Sequence, residues 1–272
     1  MSGKETLHYP SARGGPELGI DLYRPDGPPR SLVVHAHGGG FSHGKRDNGF
    51  ARDCAARLVA EGVAFASIDY SKGDPPPERF TPAEWQVIEH AQARTNRIGL
   101  KVNPQYCGAR MYAALEDYSA AFLRLGGPDG DLDLSDIPML AFGASAGGII
   151  AASLAYPPRD WPPLFRPDAA FGVCAAMVQP WRLTSTGPPL RMMHSFHDGV
   201  ISPRNMRALR NKAAAKDAPV DVVTSNVKGH RQQLDALLTG ADDEGVPYWS
   251  LMQRSIEDAI AYRRTRNEEP ST

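Results

Sequence analysis

The chain has 272 residues, of which 42% are apolar, and this suits one large α/β domain with an insertion better than two independent domains. With 30 basic and 31 acidic residues, its net charge is −1, so neither a nucleic acid nor an anionic membrane surface is an expected partner. No apolar run is long enough to span a bilayer, and the first residues lack the apolar segment of a signal peptide, so we expect a cytoplasmic location.

Apolar segments of strand and helix type alternate along the chain. Such alternation is typical of a mostly parallel central sheet with helices on both faces, and we predict this α/β architecture. Strands are predicted at 18–24, 31–36, 63–70, 138–143, 169–177, 190–196 and 220–225, the first of them as an antiparallel edge strand. Helices are predicted at 47–61, 110–125, 146–156, 203–216 and 248–264.

A long segment at about 74–109 interrupts this alternation. Within it, Thr81-Pro82-Ala83-Glu84 has the pattern of an N-cap, a first-turn proline and a capping box, so a helix should run from there to about Ile98. Long insertions of this kind often form lids or substrate walls, and a surface insertion without a function is the alternative. We expect one domain over residues 1–272 with this lid-like insertion.

A serine flanked by glycines, in Gly143-Ala144-Ser145-Ala146-Gly147, separates a predicted strand from a predicted helix. This is the Gly-x-Ser-x-Gly pattern of a nucleophile elbow, in which a sharp turn exposes the serine hydroxyl. The glycines leave room for neighbouring backbone, and the N-terminus of the following helix favours negative charge at the same place. We therefore predict Ser145 as a catalytic nucleophile, and a tight turn in an ordinary α/β unit is the alternative.

A second glycine cluster, His37-Gly38-Gly39-Gly40-Phe41, follows the strand predicted at 31–36. Because glycine has no Cβ, its backbone N–H can approach an atom bound in front of a serine. Two such N–H groups, with the N–H of Ala146, would form an oxyanion hole for a tetrahedral intermediate. The alternatives are a flexible loop and a phosphate cradle, but the Lys-Ser or Lys-Thr pair and the Gly-x-Gly-x-x-Gly spacing of such cradles are absent from this stretch.

A serine nucleophile needs a base and an orienting acid, and in proteins with an elbow serine both come later in the chain, the acid first. Asp198 and His230 directly follow predicted strands, so both should lie at the edge of the sheet that carries Ser145. The nearest rivals are two histidines close to that acid and two aspartates that precede a strand: His194, His197, Asp217 and Asp221. We interpret the following histidines as structural: His8, His35, His43 and His90.

Together these residues resemble the α/β-hydrolase superfamily, and within it the HGGG-type serine esterases, which include hormone-sensitive-lipase-like and carbohydrate-esterase-like carboxylesterases. The resemblance covers most of the chain and rests on the stretches HGGGF (37–41), IDY (68–70), AALED (113–117), GASAG (143–147), the Asp198 loop and GH (229–230). It implies the α/β-hydrolase fold, Gly39 and Gly40 as the N–H donors beside Ala146, and a structural role for His37.

The chain departs from this family in two ways. We expect no N-terminal cap of the hormone-sensitive-lipase type, because the first predicted strand begins within the first twenty residues or so. In addition, Ser71-Lys72-Gly73-Asp74 stands where members often continue with Arg-Leu-Ala-Pro-Glu. These differences shift the expected source of substrate specificity to the insertion and to two further candidate walls, 178–188 and 231–247. The candidate substrate-binding side chains are aromatic: Phe41, Tyr70, Trp85 and Trp181.

The predicted function is that of a serine carboxylesterase that cleaves small-molecule esters of short to medium acyl chains, acetyl esters among them, through an acyl-enzyme on Ser145. No metal or other cofactor is needed, and three widely spaced cysteines suit reduced core thiols: Cys54, Cys107 and Cys174. An amide-directed enzyme such as an arylformamidase or a small peptidase is the first alternative, since the acyl-transfer machinery is shared. A binding protein on a hydrolase scaffold is the second, and the sequence does not indicate an oligomeric state.

Overall fold

A computed structural model describes residues 3–126, 134 and 136–268. Its described residues contain one sheet of eight strands, in the order β1-β2-β4-β3-β5-β6-β7-β8. The strands are Glu5–Pro10 (β1), Glu17–Tyr23 (β2), Leu32–Ala36 (β3), Ala64–Ile68 (β4), Met139–Ala144 (β5), Ala169–Val173 (β6), Leu190–His197 (β7) and Val220–Lys228 (β8). The two pairs that involve β2 are antiparallel, and every other neighbouring pair is parallel.

Helices cover both faces of this sheet. They are Gly49–Ala60 (α1), Pro82–Arg97 (α2), Ala109–Gly126 (α3), Ala146–Ala155 (α4), Arg204–Ala214 (α5), Gln232–Thr239 (α6) and Trp249–Glu268 (α7). One apolar core lies between the sheet and α3, α4 and α5, and a second lies between the sheet and α1, α6 and α7. The predicted architecture, a mostly parallel sheet with helices on both faces, is confirmed.

The antiparallel end of the sheet differs from the prediction. The strand predicted at 18–24 as an edge is β2, which is covered by β1 on one side and paired with β4 on the other. In β1 only Tyr9 is buried, so its sequence lacks the apolar alternation that predicts a half-buried strand. The edge position predicted for this strand was therefore wrong.

The insertion at about 74–109 consists of α2 with a short 3₁₀ turn on either side, at Pro77–Arg79 and Pro104–Tyr106. The predicted capping box is present: the hydroxyl of Thr81 accepts from the N–H of Glu84 at 3.3 Å, and the Glu84 carboxylate accepts from the N–H of Thr81 at 2.8 Å. Within the described ranges, every helix is too short or too polar to cross a bilayer.

Candidate active site

Ser145 lies at the turn between β5 and α4, where the carboxyl ends of the parallel strands form one edge of the sheet. Its backbone has φ 53° and ψ −119°, a conformation that costs about 1–3 kcal/mol for a residue with a Cβ. The turn is tight enough that a Cβ on Gly147 would come within 1.9 Å of the carbonyl oxygen of Ala36. Only glycine fits there, as the elbow pattern requires. The Ser145 side chain is left partly exposed.

His230 lies in the turn between β8 and α6, directly after Gly229, whose φ of +103° favours glycine. Its Nε2 is 2.9 Å from the hydroxyl oxygen of Ser145, and its Nδ1 is 2.8 Å from Oδ2 of Asp198. An ionised carboxylate only accepts hydrogen bonds, so Nδ1 carries the proton and Nε2 is left to accept one from the serine hydroxyl. The structure thus brings the three predicted side chains together in hydrogen-bond contact.

The carboxylate of Asp198 is buried and accepts at both oxygens. Oδ1 accepts from the backbone N–H of Val200 at 2.8 Å and of Ile201 at 2.9 Å, and Oδ2 accepts from His230 and from Nε2 of Gln233 at 2.9 Å. Burial by itself would raise the pKa of Asp198, but the hydrogen bonds from His230 and the two N–H groups outweigh it and hold that pKa below its usual value. The carboxylate is therefore an anion at neutral pH.

The rival candidates occupy other places. His194 is buried, and its Nε2 lies 2.9 Å from the carbonyl oxygen of Ile201. His197 ends β7 and is exposed. Asp217 and Asp221 lie at the opposite edge of the sheet because one precedes β8 and the other is its second residue. None of these four stands between the serine hydroxyl and the buried carboxylate.

The glycine cluster after β3 lies beside the serine. A Cβ on Gly38 would be 3.3 Å from the Cβ of Ser145, so this backbone faces the elbow. Gly39 and Gly40 have φ of +124° and +62°, and a Cβ on Gly39 would collide with the carbonyl oxygen of His43 at 2.1 Å. In the described part of the chain, the N–H groups of Gly39 and Gly40 donate to no other group. They can therefore serve a bound oxyanion.

The N-terminus of α4 is the third source of donors. The side chain of Ser145, its N-cap residue, makes no capping hydrogen bond, so the first-turn N–H groups, including that of Ala146, lack the usual partner. These donors and the positive end of the helix dipole favour negative charge in front of the serine. The arrangement can stabilise the oxyanion that forms when a hydroxyl attacks a carbonyl.

The predicted substrate-binding aromatics divide into two groups. Phe41 and Tyr70 are fully buried. The Tyr70 hydroxyl donates to the carbonyl of His37 at 2.7 Å, and the ring of Tyr70 stacks on the imidazole of His37 with centroids 4.3 Å apart. We therefore correct their interpretation: both support the glycine loop from the core. Trp85 and Trp181 are partly exposed, the first donating to the carbonyl of Pro77 at 2.9 Å.

Sequence reasoning missed two residues next to the site. Gln233 is fully buried on α6 and donates to Asp198, a contact that the spacing of three residues from His230 would indicate once a helix is predicted there. Tyr106 comes from the insertion, and its hydroxyl is 3.4 Å from the position of a Cβ on Gly40. No sequence pattern marks Tyr106, because the fold of the insertion alone brings it to the glycine loop.

A cleft of about 420 Å³ lies beside Tyr106, between the insertion and the start of α3. Its polar lining includes Arg110, which donates to the hydroxyl of Ser42 at 2.8 Å and to both carboxylate oxygens of Asp74 at 2.6 Å. Trp85 lines the same cleft. Within the described ranges, no group of three or more histidine, cysteine or acidic side chains could hold a metal ion.

No protein-family model matches the sequence, and no curated protein matches it significantly. Solved structures do match it. An esterase 2 of Thermogutta terrifontis with bound propionate is 16% identical, with a TM-score of 0.56 over 99% of this chain and 97% of that chain. An alpha-beta serine hydrolase homologue from Coxiella burnetii is 15% identical, with a TM-score of 0.58 over 88% of this chain and 95% of that chain.

The chain has the α/β-hydrolase fold. In this fold, loops at the carboxyl ends of the parallel strands supply the polar side chains of a site. The Thermogutta esterase has also been captured phosphorylated by paraoxon and with bound butyrate. Both complexes are of that protein, and the fold is what the two chains share at this level of identity.

Proposed function

We propose that this protein is a serine hydrolase of carboxylic esters, with Ser145, His230 and Asp198 as its catalytic triad. One observation carries the proposal: the imidazole of His230 lies between the other two side chains, 2.9 Å from the hydroxyl oxygen and 2.8 Å from the carboxylate. A strained serine with its hydroxyl in contact with a base is the arrangement that nucleophilic acyl transfer requires.

In the first half of the reaction, the oxygen of Ser145 attacks the ester carbonyl carbon while Nε2 of His230 takes the hydroxyl proton. The carbonyl oxygen becomes an oxyanion, which the N–H groups of Gly39, Gly40 and Ala146 stabilise. The carbon–oxygen bond to the alcohol then breaks, and His230 returns the proton to the leaving alcohol. The acyl group remains on the serine, and the carboxylate of Asp198 stabilises the imidazole while it is charged.

In the second half, a water molecule attacks the acyl-enzyme. His230 accepts a proton from the water as the new oxyanion forms in the same hole, and it then passes this proton to the departing oxygen of Ser145. The carboxylic acid is released and the free hydroxyl is restored. This cycle uses only side chains and backbone of the chain.

The substrate we propose is an ester of short to medium acyl length, acetyl esters among them. The Thermogutta esterase, which has been captured with propionate and with butyrate, supports a small acyl group. The HGGG stretch supports the HGGG-type subclass of serine esterases. We also propose that residues 1–272 form one catalytic domain and that the 74–109 insertion is a wall of the substrate site, since its Tyr106 lies against Gly40.

Rates on matched substrates test the proposal. The wild-type protein should hydrolyse 4-nitrophenyl acetate much faster than an N-formyl anilide, and Ser145→Ala should lower the ester rate by about 10⁴-fold or more. Ser250→Ala, a serine on α7, is the matched control and should keep the wild-type rate. A faster rate on the formyl amide favours the amide-directed enzyme. Absence of hydrolysis of either compound leaves the binding-protein alternative.

A further inference from the structure

One face of the molecule carries exposed basic side chains without acidic partners. It consists of the second half of α2, the 3₁₀ turn at Pro180–Arg182 and α5, and we call it the basic face. No acidic residue occurs between Glu89 and Glu116 or between Asp198 and Asp217. Its exposed basic residues are Arg94, Arg97, Lys101, Arg204, Arg207 and Arg210, while Lys212 and Lys216 are half-buried and Lys216 donates to the carbonyls of Trp181 and Leu183. None of the eight forms an ion pair in the described structure.

Two bridges hold these elements together as one surface. The side chain of Asn205, at the start of α5, accepts from the N–H of Lys101 at 2.8 Å and donates to its carbonyl at 3.0 Å. At the other end, the guanidinium of Arg94 lies 4.7 Å from the ring centroid of Trp181, whose carbonyl accepts from Lys216 at 2.9 Å. The segment from Arg94 to Lys101 therefore lies beside α5 and the 3₁₀ turn, and the basic side chains of these elements share one side of the molecule.

Exposed apolar side chains lie at the end of this face that is nearest the triad. The described residues include five large apolar side chains that are exposed, and three of them belong here: Ile98 at 46%, Phe196 at 56% and Val200 at 56%. Ile98 directly follows α2, three residues before Lys101. Phe196 and Val200 lie two residues on either side of Asp198.

We propose that the basic face binds an anionic phospholipid surface and so presents the active site to esters held there. The negative potential of such a surface attracts basic side chains close to it, and exposed apolar side chains insert at the boundary of headgroups and acyl chains. A nucleic acid would match the charge alone and leave the three apolar side chains in water. The net charge of −1 does not reveal this face, because acidic residues in other segments balance its positive charge.

Cosedimentation with vesicles tests the proposal. Membrane binding itself does not depend on the proposed function, and only its consequence, access of the active site to esters in the membrane, rests on that function. The protein should bind vesicles of phosphatidylcholine mixed with phosphatidylglycerol, not vesicles of phosphatidylcholine alone, and salt should weaken the binding. Arg97→Glu, Arg204→Glu and Arg207→Glu combined should weaken it by about 100-fold or more. The matched control reverses three exposed charges elsewhere, Arg159→Glu, Arg254→Glu and Arg264→Glu, and should bind as the wild type does.

Further variants and a second ligand distinguish lipid binding from the binding of other polyanions and from catalysis. Ile98→Ser combined with Phe196→Ser should weaken binding to the anionic vesicles while the melting temperature is retained. Ser145→Ala should bind these vesicles as well as the wild type, so loss of hydrolysis and loss of binding are distinguished. Equal binding to both kinds of vesicle, no binding to either, or binding of an RNA homopolymer in place of the anionic vesicles would overturn the proposal.

Discussion

The two oxygens of the Asp198 carboxylate accept four hydrogen bonds. Backbone N–H groups hold Oδ1, and the side chains of His230 and Gln233 share Oδ2. Gln233 also donates to the carbonyl of Gly229 at 3.1 Å, so one amide fixes both the acid and the turn that carries the base. We expect Gln233 to act as a positioning residue for the triad, since it is in contact with the acid and with no reacting atom.

Replacement of Gln233 by methionine tests this role. Gln233→Met removes one donor from the Asp198 carboxylate, so the pKa of this carboxyl should rise, which NMR of the labelled carboxyl carbon measures. We expect kcat to fall by roughly tenfold with KM unchanged, the scale of one charge-assisted hydrogen bond. A purely structural role would lower the melting temperature without raising the pKa of Asp198. Gln253→Met, exposed on α7, is the control.

At the scale of elements, ion pairs at one end and a hydroxyl hydrogen bond at the other connect the insertion to the rest of the fold. Arg13 lies 2.7 Å from Glu84 at the start of α2 and 2.7 Å from the buried Glu116 on α3. Near the other end of α2, the hydroxyl of Thr95 donates to the carbonyl of Val178 at 3.0 Å. These contacts favour an insertion that is fixed in place over a lid that opens.

The Arg13 contact predicts how acid loosens the insertion. The hydrogen bond from Arg13 is the main cause that lowers the pKa of Glu84 from 4.5 to about 2. A depressed acid pKa stabilises the fold above pH 4.5, and this contribution is lost as the pH falls toward 2. In hydrogen exchange, α2 should lose protection over that range in the wild type and change less in Glu84→Gln. Glu89→Gln, exposed on the same helix, should behave as the wild type, and equal loss in all three proteins would contradict the account.

The elements that sequence patterns predicted well are those whose side chains meet apolar surroundings on both faces of the sheet. Strands β3 and β4 are fully buried and almost wholly apolar, with one polar residue each, His35 and Ser67. By contrast, β1 exposes most of its side chains, and α6 has Arg231 as its N-cap residue with no capping hydrogen bond, so neither carries a start signal in the sequence. The predicted loop at 231–247 therefore missed a helix.

The positions of the three residues of the proposed triad were predictable because parallel strands end at one edge of the sheet. Each of the three follows a strand: Ser145 follows β5, Asp198 follows β7 and His230 follows β8. These strand ends lie at the same edge of the sheet, so the three side chains lie near one another. The side to which a loop residue turns was not predictable: Phe41 has a φ of 59° and points into the core. Contacts such as that of Tyr106 with Gly40 depend on how the insertion folds back, which no local pattern specifies.

At the scale of the whole molecule, three buried histidines should set the response of stability to mild acid. Burial lowers the pKa of His35 from 6.5 to about 3 and that of His37 to about 4, and it lowers the pKa of His194 as well. The folded protein keeps these rings neutral while the unfolded chain binds protons below pH 6.5, so stability should fall as the pH drops from there.

His35 and His37 each contribute a slope of about 1.4 kcal/mol per pH unit below the unfolded pKa, so the two give about 3 kcal/mol per unit, and His194 adds in the same direction. Urea unfolding between about pH 6.5 and pH 5 measures this slope. His35→Asn should lower the slope by about 1.4 kcal/mol per unit, whereas His90→Asn, exposed on α2, should leave it unchanged. A stability that is flat over this range would contradict the assignment of neutral buried rings.

The site at which an organophosphate attaches is the most direct measurement of the central claim, that His230 and Asp198 activate the hydroxyl of Ser145. Attack of that oxygen on diethyl 4-nitrophenyl phosphate forms the serine–phosphorus bond and releases 4-nitrophenol, and peptide mass spectrometry locates the added diethylphosphoryl group. We predict one equivalent on Ser145, no label in Ser145→Ala, and labelling slowed by about 10³-fold or more in His230→Ala. Label on another residue of the folded protein, or undiminished labelling in His230→Ala, would contradict the account.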